Sequence, residues 1–192
     1  MTRLKALSVL LCREYIAEQH GALALERVRD AMHRSAREAI YSPLLLATDW
    51  VDVAAALEHA RAYDSLYAAG HPREASERML RALVARHYNG LYRPLLSGAV
   101  TPIQVFEKST RLWNRFYDQG QSELAVESSS KVIKRILGCP DLPLNHDLLT
   151  SPYYAELARL AGARSTTVRH IKCVALGDEC CETVIQWREY ER

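Results

Sequence analysis

No apolar stretch of this chain comes near the roughly 20 residues that a membrane-spanning helix needs. The most apolar short segments, Ala6 to Leu11 and Leu44 to Ala47, are far shorter, so membrane insertion is not expected. Charge of one sign is lacking too. The formal net charge is +2, with Lys and Arg interspersed among Asp and Glu, which leaves no field to hold a phosphate backbone or an anionic bilayer. Nucleic acid and membrane surfaces are therefore not expected partners. A paired set of cysteines is missing as well: five is an odd number, which argues against a secreted disulfide framework and for thiols in a reducing compartment. The opening Met1-Thr2-Arg3-Leu4-Lys5 runs into charges at Arg13, Glu14 and Glu18, unlike a secretory signal, and a cytoplasmic location is the expectation. Dinucleotide, phosphate-loop, zinc-protease and nucleophile-elbow motifs are all absent, so no enzyme is expected. Paired acids such as Glu123 with Glu127, or Asp147 with Glu156, read as surface charge.

What is present suits one globular domain. A length of 192 residues, 48% hydrophobic and 25% charged, can bury enough apolar surface to offset chain entropy. Residues 1–100 read as a helical half. Leu4, Leu7, Leu10 and Leu11 recur three to four apart and predict a helix from Thr2 to about Gln19 with those leucines on its buried stripe. Gly21 breaks it, a second helix runs from about Ala22 to Ala39, and Ser42-Pro43 ends that one. Thr48 and Asp49 would cap a third, carrying Trp50, Val51, Val53, Leu57, Tyr63 and Leu66. A fourth is expected from about Pro72 to Leu96.

Residues 101–192 read differently. Thr101-Pro102 is a helix start, a capping hydroxyl followed by proline at the first helical position. Phe106, Trp113, Phe116 and Tyr117 fall close to one face of that helix, either as core or as the wall of a ligand pocket. After Gly120 the pattern alternates: Leu124, Val126 and Ser128 predict one strand and Val132 to Leu137 a second. Asp147 or Ser151-Pro152 opens a helix to Gly162. Two strands close the chain, Ser165 to Leu176 and Cys180 to Trp187, turning at Leu176-Gly177-Asp178-Glu179. The fold class expected is α+β: about five helices packed on a C-terminal antiparallel sheet of about four strands in the order ββαββ.

The most specific local signal is His170-Ile171-Lys172-Cys173, then Gly177-Asp178, then Cys180-Cys181, ending at Trp187. On an antiparallel hairpin centred on Gly177, Cys173 lies opposite Cys181, either as a metal-binding pair or as packed thiols. Cysteine, three residues, Gly-Asp, two residues, cysteine inside a terminal hairpin resembles the ending of 4-vinyl-reductase-type sensor domains. Their fold is shared with the Bet3-like subunits of the TRAPP tethering complex and is related to that of haem nitric-oxide-binding domains. Leu112-Trp113, Tyr117-Asp118-Gln119-Gly120 and the final Trp187 also resemble a set of uncharacterised deltaproteobacterial, notably myxobacterial, proteins. The resemblance extends from about Thr101 to Trp187, with the helical half agreeing in layout.

The resemblance implies ligands for a structural zinc ion at Cys173 and Cys181, at His170 in place of the family's acidic residue, and at Cys139 upstream. Metal-free buried thiols are the alternative. On a flat strand His170 and Cys173 face opposite ways, so this set requires a bulge. Haem could find an axial ligand in His33, His59 or His87, yet the Tyr-x-Ser-x-Arg signature that holds haem propionates is absent, and haem is not expected. Functionally the resemblance implies a regulatory module binding a small hydrophobic molecule between helices and sheet, with Trp50, Phe106, Trp113, Phe116 and Tyr117 as pocket residues. The alternative is a homodimeric scaffold whose interface uses Leu4, Leu7 and Leu11.

Overall fold

Thr101 shows how the local sequence signals are realised. In the computed structural model its hydroxyl accepts the Gln104 backbone N–H at 3.3 Å, and the Gln104 side chain accepts the Thr101 N–H at 3.2 Å, a complete capping box. The structure describes residues 1–68, 71, 74–89 (without the side chains of 88 and 89), 101–141 and 150–188. Helices α1 to α5 are Ala6–His20, Ala22–Asp30, Arg34–Ile40, Val53–Tyr67 and Glu74–Asn89. The capped helix, α6, is Pro102–Arg111, followed by the single turn α7 at Trp113–Phe116 and by α8 at Ser151–Leu160. Two short strands, β1 (Arg3–Lys5) and β2 (Trp50–Asp52), pair antiparallel, with Leu4 opposite Val51. The main sheet holds β3 (Gln121–Ser128), β4 (Lys131–Leu137), β5 (Ser165–Lys172) and β6 (Cys181–Arg188), all antiparallel in the order β3-β4-β6-β5.

The α+β class and the ββαββ order agree with the sequence expectation, whereas the helical half differs in detail and the strand expected from Ser165 to Leu176 stops at Lys172, with Val174–Leu176 tightened into a 3-10 turn before Gly177. Residues 3–5 and 50–52, expected within helices, form the small sheet instead, because three residues are too few for a period to show. The expected helix from Ala22 to Ala39 divides at Ala31–His33, where Met32 is buried as a plug between α2 and α3. The buried face of α1 carries Ala6, Val9, Cys12 and Ile16, one position off the leucine stripe. Leu4 belongs to the chain's own core and Leu11 packs against it, so the homodimer surface drawn through Leu4, Leu7 and Leu11 is largely spent within the chain. The ends of the helix expected from Pro72 to Leu96, and Asp147, lie outside the described residues. Glu156, read as surface charge, is buried on α8 and takes a two-point contact from Arg159 at 2.6 and 2.8 Å. Among the described residues no helix is long and apolar enough to cross a membrane.

Two apolar clusters fill the interior. The larger lies among α1 to α5 around Ile16, Ile40, Val53 and Tyr63. The other lies between α6, α8 and the sheet around Val105, Phe106, Leu157, Ile185 and Trp187. Fully burying a side chain such as Phe106 is worth about 1.5–3 kcal/mol, so these clusters supply the main drive to fold. The N-terminus is tied to the sheet half by polar contacts: Arg3 donates its N–H and its Nε to the Asp118 carboxylate, each at 2.7 Å, and the Thr2 N–H reaches Asp141 at 2.7 Å. Where β3 begins and β4 ends, Gly120 (φ +73) and Gly138 (φ +70) pass each other closely, and a Cβ on Gly120 would stand 2.4 Å from Cys139 Sγ. Only glycine meets both demands there.

Candidate functional site

The helical half and the sheet do not close completely on each other. A cavity of about 130 Å³ lies between them, comparable to the ~150 Å³ engineered cavity that admits benzene. Its walls come from α1 (Val9, Cys12), α4 (Ala56, His59), α5 (Met79, Leu83, His87), the turn α7, strand β4 and helix α8. Most of that lining is apolar. This is the usual build of a small-molecule site, a few polar groups set in a largely hydrophobic concavity.

Three buried nitrogen bases stand on this wall. His59 is 2% exposed and its Nε2 meets the Tyr41 hydroxyl at 3.1 Å, while burial, helped by the Arg13 charge, lowers its pKa to about 4. His87 is 5% exposed, its ring 5.8 Å from that of Phe116, and burial lowers it to about 4 as well. Both imidazoles are neutral at physiological pH. Lys134 is 3% exposed, and burial brings its amine down to about 7. It lies on β4 between Val132 and Ile136, on the inward face of that strand. Its Nζ reaches the hydroxyls of Thr110 at 3.0 Å and Ser109 at 3.3 Å.

Of the five residues expected to line a pocket, the structure places three on this wall: Trp113, Phe116 and Tyr117. Trp113 and Tyr117 stack at 4.1 Å, and the indole donates to the Gln119 carbonyl at 3.0 Å. Helix α6 stops at Leu112, which turns these rings away from Phe106. Phe106 is fully buried in the sheet-side cluster against Tyr154 and Trp187, 6.1 and 6.0 Å between ring centres. Trp50 is on β2 with the Lys5 ammonium 3.6 Å from its ring. Neither is among the cavity's lining residues. Sequence reading passes over Lys134 and singles out His59 and His87 only as conceivable haem ligands. A signal for Lys134 is present, since a lysine in the inward register of an alternating strand is out of place.

The hairpin residues come together in part. The ligand atoms of His170, Cys173 and Cys181 lie within 4.8 Å of one another. The bulge needed for this is present, as the pairing of β5 with β6 shifts register between His170 and Lys172. Asp178 holds the turn by accepting the Cys173 N–H at 2.7 Å. Cys139 is buried in the same small cluster, beside Trp113, Ile136 and Cys181, but its thiol points to the Gln119 carbonyl at 3.2 Å and it is not one of the three grouped ligands. Three convergent ligands are one short of a closed tetrahedral zinc site, so the zinc expectation extends no further than this His/Cys group.

No family model matches this sequence, and no curated protein matches it. Solved structures do. An H-NOX protein from S. oneidensis in the Fe(II)NO state superposes with a TM-score of 0.71 at 7% identity, over 96% of this chain and 99% of that one. An unliganded Fe(II) H-NOX protein from K. algicida gives 0.70 at 8% identity over 98% of each chain. An oxygen-binding H-NOX domain related to soluble guanylate cyclases, in its oxygen complex, gives 0.64 at 7% identity over 98% of this chain and 99% of that one. At such identities the likeness is one of fold.

Two expectations are corrected by it. The resemblance to 4-vinyl-reductase-type, Bet3 and TRAPP domains gives way to an H-NOX-like fold over nearly the whole chain; it rests on a cysteine hairpin, a local motif that does not specify how the helical half is built. The dismissal of haem also falls, because a missing Tyr-x-Ser-x-Arg signature is a single local feature and the whole fold matches haem domains.

Proposed function

We propose that this chain is a non-catalytic sensor module that takes a small ligand into the cavity between its helical half and its sheet and signals occupancy through contacts with a protein partner. The observation that carries this is the cavity itself: set between two layers, apolar, and furnished with a few buried ionisable groups. The fold likeness supports the same reading, since two of the matched H-NOX proteins are an NO-ligated form and an oxygen complex. At about 130 Å³ the cavity suits a single-ring molecule as it stands.

Haem is a second reading, favoured by the fold and by the imidazoles on the wall. His87, neutral and set beside Phe116 on the cavity wall, is the axial candidate. When bound, haem would supply an iron centre able to hold a diatomic gas. Its admission requires the helical layer to part from β4 and α8.

Native mass spectrometry and absorbance during haemin titration test both readings. A stoichiometric Soret band that His87→Ala abolishes establishes the haem reading. Thermal stabilisation by single-ring aromatics without such a band establishes the small-ligand reading. A folded protein that shows neither overturns the sensor proposal.

A further inference from the structure

Lys134 is not explained by the fold. Its hydroxyl neighbours cannot neutralise it: Ser109 and Thr110 each give their proton to the Phe106 carbonyl, at 2.9 and 2.8 Å, so toward Lys134 they act as acceptors. They occupy two of the three positions on the nitrogen. Lys134 itself lines the cavity, with its Nζ 5.5 Å from the Tyr154 ring. Among the described residues no carboxylate lies within ion-pair distance of this amine, and no Asp or Glu lines the cavity. A buried cation without a counter-ion is costly, and an apolar residue of similar length would serve the core better.

Resting on the reading that the cavity receives a ligand, we infer that Lys134 selects it: the ligand is a small apolar molecule bearing one carboxylate, which docks on Lys134 Nζ while its hydrocarbon body lies against Trp113, Phe116 and Leu83. The ligand brings the missing counter-charge. The two hydroxyls hold the ammonium in place, and the apolar wall excludes water that would weaken the ion pair.

The other titratable groups facing this space are His59, His87, Cys12 and the phenols of Tyr117, Tyr153 and Tyr154. Burial keeps the two imidazoles neutral down to about pH 4, pushes Cys12 and Tyr117 each to about 12, and raises Tyr154. With the amine brought to about 7, carboxylate binding above neutrality must take up a proton at Lys134. Affinity therefore falls as the pH rises.

Calorimetry with benzoate and with toluene, on the wild type and Lys134→Met, at pH 6 and pH 9, tests this. Benzoate should bind the wild type at least ten-fold more tightly at pH 6 than at pH 9, and at least ten-fold more tightly than it binds the variant. At pH 8, titrations in two buffers of different ionisation enthalpy should show close to one proton taken up. Toluene should bind both proteins alike at both pH values. Benzoate binding that ignores the substitution or the pH overturns the selection by Lys134, while toluene binding then leaves the cavity reading standing. Failure of both probes in both folded proteins overturns the two together.

Discussion

The cavity and the terminal hairpin each gather ionisable side chains, but they do so under opposite solvation. In the cavity Lys134, His59 and His87 are 3%, 2% and 5% exposed, and desolvation pushes all three toward their neutral forms. On the hairpin His170 and Cys173 remain partly open and only Cys181 is sealed, with burial raising its thiol to about 11. The lesson is that proximity alone does not set the chemistry. The cavity groups come from α4, α5 and β4 and are perturbed by everything packed over them. The hairpin groups are neighbours in the chain and are held together mainly by one turn and one bulge.

The largest effect that would break this contrast is on stability at Lys134. Its folded pKa is lowered from 10.5 to about 7, so between those values the unfolded chain binds the extra proton and stability rises with pH. Wild type should gain about 2 kcal/mol between pH 7 and pH 9 relative to Lys134→Met, and the variant should be the more stable at pH 7 by about 2–4 kcal/mol. Urea unfolding at the two pH values measures both differences. Parallel curves for the two proteins would show that the amine is not desolvated.

Next comes the histidine effect, of the same sense but in a more acidic window. With folded values lowered to about 4 from 6.5, His59 and His87 contribute stability that is complete above pH 6.5 and lost as the pH falls through 4. Replacing His87 by Phe should remove about 3 kcal/mol of that acid sensitivity, read as the change in unfolding free energy between pH 7 and pH 4.

On the hairpin side the sharper test is steric. Gly120→Ala would place a methyl 2.4 Å from Cys139 Sγ and from the Leu137 carbonyl at a φ of +73, and should cost about 2–4 kcal/mol. Gly21→Ala, with an equally positive φ but nothing within 4 Å, should cost about 1–2 kcal/mol. Thermal unfolding of the two variants gives the comparison. The smallest effect is kinetic: under native conditions a thiol reagent should label Cys173 and Cys180 before the buried Cys12, Cys139 and Cys181. Peptide mapping of the partly labelled protein decides the order.

Legibility followed the same division. The strands β3 and β4, their turn at Ser129 and Ser130, the helix start at Thr101-Pro102 and the nearness of Cys173 to Cys181 can all be read from residues close in sequence, because alternation, caps and turns are local physics. Trp50 and Phe106 fall outside the lining of this cavity for a related reason. An aromatic side chain announces burial but not against which partner, and one helix break at Leu112 sends Phe106 to the sheet cluster and Trp113 to the cavity.

By itself, the sequence determined the α+β class, the order of the sheet-forming segments and the turn that joins the cysteines, since each depends on periods and turn residues spanning a few positions. The tertiary structure alone decided that residues 3–5 and 50–52 pair, that His59, His87 and Lys134 share one apolar space, and that their protons are held or shed accordingly. Desolvation is a property of the assembled surroundings, so no stretch of chain carries it before the layers meet.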